Sequence, residues 1–115
     1  MKKLDMSPEA LMDLQSRKAW LAGEFGEKIS ESIIGQIMDS IGNLLIFPDS
    51  GVSLYARYGI ECDYFYIVSK KNYIFFRQEE ESIKIIRVLD ERQDFMDTLF
   101  HIRTTTQETE DYWGE

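Results

Sequence analysis

The chain has 115 residues, 43% of them hydrophobic, which suits one domain around one core and is too short for two. Net charge is −8, and residues 1–102 alone carry 12 Lys and Arg against 17 Asp and Glu, a balance that argues against strong direct nucleic-acid binding through phosphates. No run reaches the roughly 18 apolar residues of a membrane span, and the Met1 to Asp5 start lacks the features of a signal peptide, so the expected location is cytoplasmic.

Residues 2–6 suit a short edge strand. Ser7-Pro8-Glu9 then supplies a helix N-cap, a proline at the first helical position and an early acid. Leu11, Leu14, Leu21 and Phe25, with Ala10 and Ala22, recur at helical spacing, while Asp13, Arg17 and Glu24 are read as lying largely off that stripe. Trp20 and Phe25 are expected in the core or between helices, in preference to a ligand cage. Gly23 and Gly26 end the helix. From about Glu27 the band Ile29, Ile33, Ile34, Ile37, Met38, Ile41, Leu44 and Leu45 predicts a second helix, antiparallel to the first, closing near Phe47-Pro48.

Val52 to Ile60 has no clear period and is read as a connecting loop. Glu61–Ser69, Tyr73–Gln78 and Ser82–Leu89 read as three strands of a meander, turning at Lys70-Lys71-Asn72 and Glu79-Glu80-Glu81. Gln93 to Ile102 is expected to be short helix or irregular, presenting Phe95, Met96, Leu99 and Phe100. These four either fold back on the sheet or form an apolar partner surface. The whole is an α+β domain over residues 1–102, with 103–115 as an acidic, frayed tail. Cys62, the only cysteine, reads as a half-buried strand residue. Neither a metal site nor a cofactor is expected.

The order strand, helical hairpin, meander, with Ser7-Pro8-Glu9-Ala10, Phe47-Pro48, Phe75-Phe76-Arg77, Ile86-Arg87-Val88-Leu89 and Arg92-Gln93-Asp94-Phe95, resembles the RelE/ParE superfamily of type II toxin–antitoxin toxins. The resemblance covers roughly residues 4–100 and is nearest to the ParE-like plasmid-stabilisation branch. It implies a toxin covered by a cognate antitoxin, a small DNA-binding protein. It also implies one of two activities: poisoning of DNA gyrase, as in ParE-like members, or ribosome-dependent mRNA cleavage, as in RelE-like ones. A non-toxic interaction module on the same fold is a third reading.

Metal-free RNA cleavage needs a base, a cation on the phosphorane and an acid for the leaving group. Cys62 to Tyr66 instead offers tyrosines and an acid where the RelE branch tends to carry lysines, and His101 lies beyond the last strand. No catalytic residue is therefore assigned, and binding to a protein target is favoured. Arg77, Arg87 and Arg92 are the candidate contacts to target or antitoxin. Their structural alternative, weighed for Arg77 and Arg87, is pairing with Glu79, Glu80, Glu81, Asp90 or Asp94.

Overall fold

The computed structural model describes residues 2–101; the expected tail at 103–115 lies outside them. After β1 (Lys3–Met6), the Ser7 hydroxyl accepts the Ala10 N–H at 2.9 Å and Pro8 opens α1 (Pro8–Phe25), as the sequence predicts. One residue, Gly26, separates α1 from α2 (Glu27–Asn43). Its φ of +92° reverses the chain at no steric cost, its N–H donates to the Ala22 carbonyl, and its own carbonyl accepts the Ser30 N–H. Buried Ser30 then ties the helices together, its hydroxyl donating to the Lys18 carbonyl at 2.7 Å.

The segment expected to be a loop contains β2 (Val52–Ser53) and α3 (Leu54–Tyr58). Ser53 caps α3 by accepting the Ala56 N–H, and Gly59 ends it in the left-handed conformation. Gly51 must be glycine, since a Cβ there would fall 2.5 Å from the Phe76 ring. β3 (Phe65–Ser69), β4 (Asn72–Gln78) and β5 (Ser82–Asp90) follow, then α4 (Phe95–Phe100). β3 starts four residues later than expected, so half-buried Cys62 sits in the connection before it.

The sheet has five strands in the order β1-β5-β4-β3-β2, a meander extended at both edges. β1 lies parallel to β5, and every other neighbouring pair is antiparallel. Both faces are covered. The helical hairpin packs Ala10, Leu14, Ile37, Ile41 and Leu44 against Ile74, Phe76, Ile83, Ile85 and Val88. On the opposite face, Leu54, Tyr66, Phe75 and Leu89 are overlaid by Phe95, Leu99 and Phe100.

A β-bulge explains why β5 does not alternate. Phe75 pairs with Arg87 but Phe76 pairs with Ile85, leaving Ile86 as the extra residue. Ile83 and Ile85 belong to the hairpin-side core, and beyond the bulge that role passes to Val88; Ile86 and Leu89 serve the other face. The backbone groups around the irregularity find partners on the first helical segment. The Ile86 carbonyl accepts the Ser7 hydroxyl at 2.7 Å, and the Val88 N–H donates to the Asp13 carboxylate at 2.9 Å.

Candidate functional site

The candidate site forms where α1 crosses the end of the β4–β5 ladder, because Ala10, Asp13, Leu14, Arg17 and Leu21 share one helical face. Asp13 and Arg17 therefore lie on the inward stripe, not off it. Arg87 grips Asp13 with two hydrogen bonds, from Nε at 2.7 Å and Nη2 at 2.9 Å. That fork, helped further by its charge, holds the Arg87 guanidinium above its ordinary range. One turn later Arg17 reaches Asp90 at 2.8 Å, and its Nε is buried with no hydrogen-bond partner.

Asp90 is the hub. It accepts from the Arg92 backbone N–H at 2.8 Å and from Arg92 Nε at 3.0 Å, while also facing Arg17. The Arg92 side chain first, then its N–H and the Arg17 charge, hold the Asp90 carboxyl below its ordinary 3.8, against the opposing effect of burial. Since the folded-state pKa is the lower one, the unfolded chain takes up the proton more readily as pH falls. The stabilisation is complete above the ordinary pKa and is lost as pH drops through the folded value. Thermal melts from about pH 6 down to about pH 2.5 should show Tm falling below about pH 4, with a flatter profile for Asp90→Asn.

Trp20 and Phe25 are not in the core: they are 43% and 54% exposed and meet edge to face at 6.0 Å. The Arg17 guanidinium lies 4.8 Å from the Trp20 ring centre and that of Arg92 lies 5.8 Å away. Two open hollows of about 500 and about 380 Å³ share Arg17, Trp20, Asp90 and Arg92 as walls.

Of the arginines singled out by sequence, Arg87 and Arg92 are brought to this end of the sheet. Arg77 stands apart at the opposite end of β4, paired with Glu79 at 2.9 Å. Arg87 takes Asp13, a partner outside the acids the sequence suggests, and Arg92 is the most open of the three, with its side chain 72% exposed. Phe95, Leu99 and Phe100 fold back on the sheet, with Phe95 rings 5.2 Å from Phe75 and 5.4 Å from Tyr73, and Met96 is half-buried beside them. His101 ends α4 in the left-handed conformation and is exposed. Arg17 was missed; the signal was an Asp13-to-Arg17 step in register with Ala10, Leu14 and Leu21.

The family model described as ParE toxin of type II toxin-antitoxin system, parDE, matches residues 4–95. The chain belongs to this family. Among solved structures, a chain described as the chromosomal ParDE TA system from P. aeruginosa is similar in fold, with a TM-score of 0.67 at 15% identity. The match covers 78% of this chain and 96% of that one. No curated protein matches the chain. As a ParE-family toxin it has an antitoxin as its implied partner, and among the described residues no helix is long and apolar enough to cross a membrane.

Proposed function

We propose that this ParE-family chain is a cytoplasmic toxin that stops growth by binding a protein target, DNA gyrase, and that a cognate antitoxin neutralises it by covering its surface. The observation that carries this reading is the state of the sheet-end arginines. Each is engaged by a carboxylate: Arg77 by Glu79, Arg87 by Asp13, Arg92 by Asp90. Arg87, forked onto Asp13 against α1, is poorly placed to stabilise a phosphorane. The sheet face under α4 is likewise filled by aromatic side chains. Arg92 is the contact residue of this proposal, because its pairing leaves the side chain open to solvent. Arg87 acts through the fold.

Expression of the chain alone, and together with the product of the neighbouring reading frame, tests it. The expected result is growth arrest with a DNA-damage response, relieved by co-expression. Arrest with mRNA cut at stalled ribosomes would instead assign RelE-type endonuclease activity, and no arrest would assign a non-toxic interaction module.

A further inference from the structure

One part of the surface has a charge opposed to that of the whole molecule. In a chain of net charge −8, the smaller hollow is lined by Arg17, Lys70, Lys71 and Arg92 against only Asp90 and Glu91. Its remaining wall is apolar, and there Trp20 and Phe25 stand half open to solvent. Asp90 is already engaged by Arg17 and Arg92, whereas Lys70 and Lys71 are exposed on the β3–β4 turn and make no ion pair among the described residues. By comparison, the hollow walled by Lys2, Lys3, Glu80 and Glu81 is balanced in charge.

The chain itself carries a segment of complementary chemistry. Residues 102–115 lie beyond the described ones, and their sequence places Glu108, Glu110 and Asp111 directly before Tyr112 and Trp113. On a molecule this acidic, such a segment is repelled by most of the surface and attracted by a cleft where cations outnumber acids. Reach permits the contact. α4 has six residues, about 9 Å of helix, so the chain passes His101 within about 20 Å of Arg92. Residues 102–107, fully extended, span up to about 20 Å, which is enough to return Glu108 to the cleft's lip.

We propose that residues 108–113 of this chain occupy the cleft in cis, as an autoinhibitory strap. The carboxylates of Glu108, Glu110 and Asp111 meet Lys70, Lys71 and Arg92, and the Tyr112 and Trp113 rings lie against Trp20 and Phe25. Tethering makes weak contacts sufficient. A short linker holds the segment at an effective concentration of about a millimolar, so an intrinsic affinity of that order fills the cleft about half the time. A seated segment covers Arg92, the contact residue proposed above, and whatever binds there must first displace it. The inference concerns the chain alone, so its failure would leave the toxin reading untouched.

The test is acrylamide quenching of the full chain carrying Trp20→Phe, in which Trp113 is the single remaining tryptophan and the cleft wall keeps an aromatic ring. At low salt its quenching constant should be about half that of residues 104–115 supplied as a free peptide, whatever the protein concentration. Lys70→Glu/Lys71→Glu should raise it to the peptide value with little change in melting temperature, since both side chains are exposed. Adding Glu110→Lys/Asp111→Lys to that variant should restore protection, which separates a direct charge contact from damage to the fold. Quenching equal to that of the free peptide, protection that survives the lysine reversal, or no restoration by the paired reversal overturns the proposal. So does protection that fades on dilution, since that assigns the cleft to the same segment of a second copy.

Discussion

Phe75→Ala is expected to destabilise the fold by about 3–5 kcal/mol, measured as a lower urea midpoint with an unchanged slope. Phe75 has no exposed surface and sits at the centre of the α4-side core, its ring 6.0 Å from Tyr66, 5.9 Å from Tyr73 and 5.2 Å from Phe95. The adjacent Phe76 serves the opposite core, so backbone relaxation that refilled one cavity would disturb the other. Truncation of half-buried Phe95 should cost less. The α4 amides of Thr98 and His101, which donate to Asp94 and Asp97, should exchange faster in Phe75→Ala. A cost below about 1 kcal/mol would mean that α4 does not close this core.

Asp13→Ala is the second large effect, expected at about 2–4 kcal/mol. Asp13 accepts three hydrogen bonds, two from Arg87 and one from the Val88 N–H beside the bulge, so its loss leaves a charge and a backbone donor unpaired together. Arg87→Leu should cost less, since Asp13 keeps the Val88 N–H. The double variant should show a coupling of about 1–3 kcal/mol in denaturation experiments. Additive effects would show that the pair does not bind α1 to β5.

The parts legible in the sequence are those fixed by local chemistry. Ser7 and Pro8 start α1, Gly26 separates the helices, and Lys70-Lys71 lies where the chain reverses. The family resemblance, carried by strand and turn order, agrees with the match over residues 4–95. Features that depend on distant pairing were not legible. β2 is two residues long, too short for any period, and α3 was signalled only by its caps, Ser53 and Gly59. The bulge after Ile85 shifts the inward face by one residue, so Arg87 reads as an arginine inside an apolar strand until Asp13 is placed beside it. Trp20 was misplaced because its aromatic bulk suggests a core, whereas its neighbours there are two guanidinium groups.

The central claim, toxicity by binding a protein without cutting RNA, is tested most directly with purified chain added to DNA gyrase and relaxed plasmid, alongside a translating ribosome reaction. The account predicts lost supercoiling with accumulation of gyrase-linked cleaved DNA, and intact mRNA in the parallel reaction. Unaltered gyrase together with mRNA cut in the ribosomal A site would contradict it.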